Sequence, residues 1–321
     1  MEQSQKNKKP LPEIQCPACK HEEARVLRIG IREDPDWPVF ICKNCRVQFI
    51  EPRFTDIQEY YANEYRKKHD SAPDQAWTAE QRYEFQYHFG RYIKKYMKDH
   101  IPLGGSLLDV GCSAGGLLGV LQDDYDVHGL EWNPEDIEFL KAHHIPVEMG
   151  SLDDAFPGQT FNVITAIQVM EHQLDPVAFI QSCKKKLIGG GYLYIEVPHN
   201  DDALVSVYGQ EEYSNFYYRE PHITYWNASN LATFLAHMGF ETHSIWNQRY
   251  GLYDHLHWVL KGEPVADPYA ARLPWKPIHK GHPQSAVFNR FFTEMDAEYR
   301  VLLEGMECSD TIRAVARWRE I

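Results

Sequence analysis

From Ser106 onward, the chain alternates short apolar runs with stretches in which apolar residues recur every three to four positions. The first pattern predicts buried strands and the second predicts amphipathic helices. We expect strands at 106–110, 126–131, 146–148, 161–166, 191–197, 240–246 and 255–261, and helices near 115–122, 134–143, 175–187 and 229–238. This alternation is typical of an α/β fold with a mostly parallel sheet, which binds ligands at the carboxyl ends of its strands.

The flanking segments follow other patterns. Val39-Phe40-Ile41 and Val47-Gln48-Phe49-Ile50 predict a small hairpin, and 78–100 predicts an aromatic-rich helix whose aromatic residues are expected mainly to pack. Beyond Gly262 five prolines interrupt the chain, and two helices are expected at 286–305 and 309–319.

Four of the seven cysteines form two C-x-x-C pairs, Cys16–Cys19 and Cys42–Cys45, separated by a loop. This spacing predicts a Cys₄ zinc ribbon; a redox dithiol or reduced structural thiols are the alternatives. Four thiolates complete a tetrahedral shell, so the Zn²⁺ is expected to be structural. The predicted domains are a mobile tail (1–12), the zinc ribbon (13–55), a helical lid or linker (56–104), the α/β domain (105–262) and a Pro-rich segment with C-terminal helices (263–321).

Composition restricts the class of partner. The chain of 321 residues is 43% hydrophobic and 25% charged, with a formal net charge of −13. It has neither an apolar run long enough to span a membrane nor a secretory signal, so we expect a cytoplasmic protein. The acidic balance disfavours nucleic acid and favours a small-molecule acceptor, since binding phosphates needs a basic face.

The stretch Leu107–Gly116 runs from an apolar strand through an acid and a glycine turn into a helix. Glu131 follows the next strand, where one carboxylate can accept both hydroxyls of a ribose, and Trp132 beside it offers an apolar wall for adenine. An acid at Asp109 would lie close to the pyrophosphate of a dinucleotide. The turn therefore favours S-adenosylmethionine over NAD.

Several motifs then occur in order: Asp109-x-Gly111-x-Ser113-x-Gly115, Glu131, Gly150–Phe156, Phe161–His172 and Gly189–Pro198. Together they resemble the class I S-adenosylmethionine-dependent methyltransferases over residues 78–262. The resemblance implies a Rossmann-like seven-stranded methyltransferase sheet with a C-terminal helical tail. Serine replaces the usual glycine at 113 and the usual acid at 151. The cofactor-binding residues that it implies are Asp109, Gly111, Cys112, Ser113, Gly115, Glu131, Trp132, Ser151, Leu152 and Gln168.

A zinc ribbon before such a domain resembles bacterial methyltransferases of sugar and polysaccharide pathways. The expected activity is O- or C-methylation of a sugar, nucleotide sugar or polysaccharide intermediate. An RNA methyltransferase and a non-catalytic S-adenosylmethionine-binding protein are the alternatives. Self-association through the tail is left open.

Two segments are candidates for the general base that methyl transfer to a hydroxyl requires. Glu171-His172 ends the fourth strand, beside the methyl group in this fold; its alternative role is to stabilise the turn. His222 lies in a segment that covers the substrate side in this family, with Tyr217, Tyr218, Arg219 and Tyr225 nearby.

Overall fold

The computed structural model describes residues 14–54, 60, 77–265 and 281–319. The predicted tail over 1–12 and much of the Pro-rich segment lie outside the described residues. The N-terminal elements are β1 (Ala24–Ile29), β2 (Pro38–Cys42), β3 (Gln48–Phe49) and helix α1 (Ala79–His100). The predicted hairpin and aromatic helix are thus confirmed. A capping box between Thr78 and Gln81 satisfies the first amides of α1 and fixes where the helix begins.

The strand and helix alternation of the central part is confirmed. Its elements are β4 (Ser106–Val110), α2 (Gly116–Leu121), β5 (Asp126–Leu130), α3 (Pro134–Ala142), β6 (Val147–Glu148), β7 (Phe161–Ile167), a 3₁₀ turn (Met170–His172), α4 (Pro176–Lys186) and β8 (Leu187–Pro198). Asn133 and Asp175 accept hydrogen bonds from the first amides of α3 and α4, each followed by a proline. Proline suits the first helical position because that amide has no partner within the helix.

The remaining elements complete both sheets. They are α5 (Ala203–Ser206), α6 (Glu211–Tyr217), β9 (Thr224–Tyr225), α7 (Ala228–His237), β10 (Phe240–Asn247), α8 (Leu252–Lys261), α9 (Ser285–Gly305) and β11 (Thr311–Trp318).

The larger sheet has seven strands in the order β10-β11-β8-β7-β4-β5-β6. Strand β11 runs antiparallel to both of its neighbours, whereas the pairs from β8 to β6 are parallel. Alternate residues of each strand pack on opposite faces: Leu107 and Val163 contact the α1 side, while Leu108 and Ile164 contact the α4 side. The predicted methyltransferase sheet is therefore confirmed.

Two predicted elements are wrong. Residues 255–261 form helix α8, because the buried residues Asp254, His255 and Trp258 recur at helical spacing. Residues 311–318, expected within a helix, form β11 and supply the seventh strand. Strand β11 lies between two other strands and is buried on both faces over most of its length, so it lacks the alternation that identifies a half-exposed strand.

The smaller sheet joins the cysteine-rich segment to the central domain. Its order is β1-β2-β3-β9, and β9 comes from the connection after β8. The amide of Ile50 also donates to the carbonyl of Ile223 at 3.0 Å, and the Tyr218 hydroxyl donates to Gln48 Oε1 at 2.7 Å. The N-terminal segment is therefore continuous with the segment that carries His222. No helix among the described ranges has the length and apolarity needed to cross a membrane.

Candidate functional site

The turn between β4 and α2 requires glycine at two positions. Gly111 and Gly115 have φ angles of +70° and +79°, in the left-handed region. A Cβ on Gly111 would lie 2.7 Å from Val169 Cγ2, and one on Gly115 would lie 2.3 Å from Leu140 Cδ2. The amide of Gly111 donates to the carbonyl of Leu130 at 2.8 Å, which holds the turn against the end of β5.

Asp109 lies behind this turn and is almost fully buried. The Thr165 hydroxyl donates to its Oδ1 at 2.6 Å. Burial raises the pKa of Asp109 to about 7; the Thr165 hydrogen bond opposes this effect and the charge of Glu131 adds to it. The side chain thus supports the turn from inside the sheet.

Glu131 accepts three backbone hydrogen bonds at the end of β5. Oε2 accepts from the amide of Ser113 at 2.8 Å, and Oε1 accepts from the amides of Trp132 and Asn133, each at 2.8 Å. A carboxylate offers about four acceptor positions, so a ribose hydroxyl can be one of several donors to Glu131. The orientation of the Glu131 carboxylate is set by the glycine turn and by the residues that follow β5, the two segments that a nucleoside would contact.

A cavity of about 570 Å³ opens beside this turn. This volume lies within the range of about 300–1,000 Å³ that is usual for small-molecule sites. Three predicted cofactor residues, Asp109, Cys112 and Gly115, are behind the wall rather than in it. The predicted residues that line the cavity are Gly111, Ser113, Glu131, Trp132, Ser151, Leu152, Gln168 and His172.

Helix α1 contributes residues that the sequence did not indicate. Arg82 and Gln86 line the cavity, and Arg82 is only 8% exposed. The Arg82 Nη2 lies 2.6 Å from Oδ1 of the fully buried Asp136, whose Oδ2 accepts from Ser113 Oγ at 2.9 Å. This network ties α1, the glycine turn and α3 together. In the sequence, Arg82 is one arginine in an amphipathic helix. This role could not be predicted from it, because its partner Asp136 lies 54 residues further along the chain.

Ser151 and Gln168, two of the predicted cofactor-binding residues, differ in how their side chains are hydrogen-bonded. Ser151 Oγ donates to Asp154 Oδ2 at 2.6 Å and accepts from the Asp154 amide at 3.3 Å, so it is engaged within its own turn. On the opposite wall, Gln168 has a φ of +56°. Its Nε2 is buried and has no hydrogen-bond partner among the described residues. A ligand acceptor in the cavity would satisfy this donor.

The structure brings Glu171, His172 and His222 together. The His172 Nδ1 is 2.8 Å from the carbonyl oxygen of Pro221, and its Nε2 is 3.7 Å from Glu171 Oε1. The rings of His172 and His222 are perpendicular with centroids 4.8 Å apart. A carbonyl can only accept, so Nδ1 carries a proton, and in the neutral ring the lone pair that can act as a base is on Nε2. Of the three residues, His172 lines the cavity.

Glu171 is the least solvated of the three. Only 1% of the residue is exposed, and among the described residues neither carboxylate oxygen has a hydrogen-bond partner. Burial raises its pKa to about 8, although the charges of Arg249 and Arg219 act in the opposite direction. One ligand atom from each of Glu171, His172 and His222 lies within 4.8 Å of the others, a set that could hold a cation.

The four cysteines of the two C-x-x-C pairs converge. The Sγ atoms of Cys16 and Cys45, and those of Cys19 and Cys42, are 3.6 Å apart. Four thiolates at the usual Zn–S distance of about 2.3 Å would place their sulfurs about 3.8 Å apart in a tetrahedron. The hydrogen bond from Cys45 lowers the pKa of the Cys16 thiol to about 5, despite its burial. The cluster therefore fits a zinc ion.

Comparison with known proteins places this site in a family. A family model described as a methyltransferase domain matches residues 80–245. The chain is 26% identical over 170 residues to a ubiquinone biosynthesis O-methyltransferase of Xylella fastidiosa, covering 48% of this chain and 69% of the relative.

A similar enzyme of the same name from Vibrio cholerae is 29% identical over 122 residues, covering 34% of this chain and 49% of the relative, so the match spans about half its length. A solved S-adenosylmethionine-dependent methyltransferase from Archaeoglobus fulgidus matches at 15% identity, with a TM-score of 0.46, over 72% of this chain and 94% of its own. The family model matches half of the chain, and the chain also has the glycine turn and the seven-stranded order. The chain therefore belongs to the class I S-adenosylmethionine-dependent methyltransferases.

Proposed function

We propose that the chain transfers the methyl group of S-adenosylmethionine to a hydroxyl oxygen of a polar small molecule, with a sugar or nucleotide sugar as acceptor. The observation that carries this proposal is the fixed tautomer of His172, whose Nδ1 is held by Pro221 while the residue lines the cavity. The relatives are named O-methyltransferases, which supports oxygen rather than carbon as the site of transfer.

The cofactor would occupy the cavity along the glycine turn. Glu131 Oε2 would accept a ribose hydroxyl, Trp132 would pack against adenine, and Gly111 would allow the methionine part to approach the backbone. Leu152 and the backbone of Ser151 would border the adenine from the other side. Gln168 Nε2 would donate to a cofactor or acceptor oxygen, because it has no partner among the described side chains.

Methyl transfer is a displacement at the sulfonium in which one C–S bond breaks as a C–O bond forms. The acceptor hydroxyl must lose its proton, and His172 Nε2 is placed to receive it at the end of β7. The imidazolium that forms would lie 3.7 Å from Glu171 Oε1, and its positive charge would favour ionisation of that buried carboxyl. When bound, S-adenosylmethionine would supply the methyl group, with S-adenosylhomocysteine as the leaving group.

The segment around His222 would form the acceptor side. It packs against the 3₁₀ turn through the amide of Ile223, which donates to the carbonyl of Glu171 at 2.7 Å. Tyr217, Tyr218 and Tyr225 of this segment are buried in the core and are not among the residues that line the cavity, so the stacking faces expected of them for a sugar are taken up by packing.

We further propose that the four cysteines hold one structural Zn²⁺. Four thiolates would complete the coordination of the ion, so it would need no further protein or water ligand. The ion would stabilise the small sheet that includes β9. It would thereby support the acceptor side without touching substrate.

Methyl transfer from radiolabelled S-adenosylmethionine tests the acceptor class. The panel contains nucleotide sugars, free sugars, a catechol and a short RNA, with product identity read by mass spectrometry. We expect label on an oxygen of a sugar-containing acceptor. Label confined to the catechol would favour a phenolic acceptor, the second candidate suggested by the names of the relatives, and label confined to RNA would overturn the small-molecule proposal.

A further inference from the structure

Arg219 lies on the acceptor side with one edge of its guanidinium buried and unpartnered. Its Nε and Nη2 atoms are both inaccessible to solvent, and neither has a hydrogen-bond partner among the described residues. These two nitrogens point their hydrogens in the same direction, along the edge that binds a carboxylate or phosphate with two parallel hydrogen bonds. Buried donors of a charged group are costly to leave unpaired, so this edge suits a partner that the described residues do not supply.

The backbone of Arg219 is held in place on both sides. The Tyr225 hydroxyl accepts from the amide of Arg219 at 2.9 Å and donates to its carbonyl at 3.1 Å. Tyr225 is itself fully buried in β9. The guanidinium therefore extends from a fixed point rather than from a free loop.

The same backbone connects Arg219 to the candidate base. The His222 amide donates to the carbonyl of Arg219 at 3.1 Å. The carbonyl of Pro221, two residues after Arg219, accepts from His172. Arg219 is also close enough to Glu171 for its charge to affect that carboxyl. A group bound by Arg219 would consequently lie near the turn that carries Glu171 and His172.

Other arginines act on the same group of residues as Arg219. The charges of Arg219 and Arg249 both act on Glu171. Arg32 lies near Arg219 and Glu33, and its own guanidinium donates to the Phe216 carbonyl while stacking on that ring. In a chain of net charge −13, arginines grouped in this way favour an anionic ligand.

We propose that the methyl acceptor carries an anionic group, a phosphate or a carboxylate, and that Arg219 binds it through Nε and Nη2. This inference rests on the proposed methyl-transfer function and deepens it by naming a feature of the acceptor. Arg219 would fix one end of the acceptor, so that a hydroxyl at the other end meets His172 in a constant position.

Anion binding to the protein saturated with S-adenosylhomocysteine tests the proposal without the true acceptor. Pyrophosphate and citrate are titrated by calorimetry into the wild type and into Arg219→Gln, Arg219→Lys and Arg25→Gln, where Arg25 is an exposed arginine of β1. The two probes distinguish a phosphate from a carboxylate as the preferred group.

We expect one anion to bind to the wild type and to Arg25→Gln alike. Arg219→Gln should weaken it by about tenfold or more, and Arg219→Lys should lie between them because lysine keeps the charge and loses the fork. Equal binding to wild type and Arg219→Gln, or no binding of either anion to the wild type, overturns the proposal. The S-adenosylhomocysteine affinity of each variant shows that it is folded. Loss of anion binding in Arg219→Gln with no sugar methylated would refute the sugar assignment alone.

Discussion

The Nδ1 atom of His172 donates a hydrogen bond to the carbonyl oxygen of Pro221 at 2.8 Å, across 49 residues of chain. This contact joins the end of β7, where the methyl group is expected, to the segment that covers the acceptor side. It also selects the tautomer in which Nε2 is unprotonated. One hydrogen bond thus connects the position of the proposed base to the position of the segment proposed to bind the acceptor.

Replacing the base should slow chemistry and leave cofactor binding intact. For His172→Ala we expect kcat to fall by about 10²–10⁴-fold, the usual contribution of a positioned general base. The dissociation constant of S-adenosylhomocysteine should remain close to the wild-type value. His237→Ala, on the exposed end of α7, is the matched control. Full turnover by His172→Ala would remove His172 from the mechanism.

Glu171→Gln should stabilise the fold, and by more at high pH. The pKa of Glu171 rises from the ordinary value of 4.5 to about 8, so between these values the folded state binds a proton that the unfolded state has lost. The stability that Glu171 contributes to the wild type is therefore fully present below pH 4.5 and is lost as the pH rises to 8.

The measurement is the difference in Tm between Glu171→Gln and wild type at pH 5 and pH 8.5. We expect the difference to grow with pH, because glutamine has no proton to lose. Comparing the two proteins at each pH cancels the contributions of Asp109 and Asp202, whose pKa values are also raised to about 7. A difference independent of pH would contradict this account of Glu171.

The buried pair between Arg82 and Asp136 should behave as a unit. Arg82→Met leaves the carboxylate of Asp136 buried without its cation, which is expected to destabilise the fold by about 3–5 kcal/mol. The double variant Arg82→Met/Asp136→Asn should recover part of this loss because no charge is then left unpaired. Chemical denaturation measures both, with Arg91→Met on the exposed face of α1 as control. Additive losses in the double variant would exclude this coupling.

Loss of the metal should affect the acceptor more than the cofactor. We expect elemental analysis to find one zinc per chain in the wild type and none in Cys42→Ser. The small sheet includes β9, so its loosening should raise the KM for the acceptor, while S-adenosylhomocysteine affinity changes little. A Cys42→Ser protein that retains its zinc would refute the Cys₄ site. Unchanged acceptor KM in a zinc-free protein would refute the structural link.

Local pattern was sufficient to predict the elements that build the cofactor side. The apolar run before Asp109 and the glycines at 111 and 115 each have a local physical cause, either burial of a strand or a positive φ. Their order along the chain predicted the sheet. The same was true of the cysteine pairs, whose spacing alone predicted that they converge.

The elements that were missed depend on contacts distant in sequence. Strand β11 lies between β8 and β10 and is buried on both faces over most of its length. Its sequence therefore lacks the alternation of polar and apolar residues that predicts a half-exposed strand. Arg82 acquires its role from Asp136, and His172 acquires its orientation from Pro221. No window of sequence contains either pair. The link between the cysteine-rich segment and β9 has the same origin, since the two strands are 175 residues apart at Phe49 and Thr224.

Calorimetric titration of S-adenosylhomocysteine tests the central claim most directly. The wild type and Glu138→Ala, an exposed change on α3, should each bind one cofactor per chain with micromolar affinity. Glu131→Ala should show no detectable binding, because it removes both the ribose acceptor and the group that orients the amides of Ser113 and Trp132. Binding of equal affinity to Glu131→Ala and wild type would contradict the cofactor site, and with it the account of methyl transfer built on it.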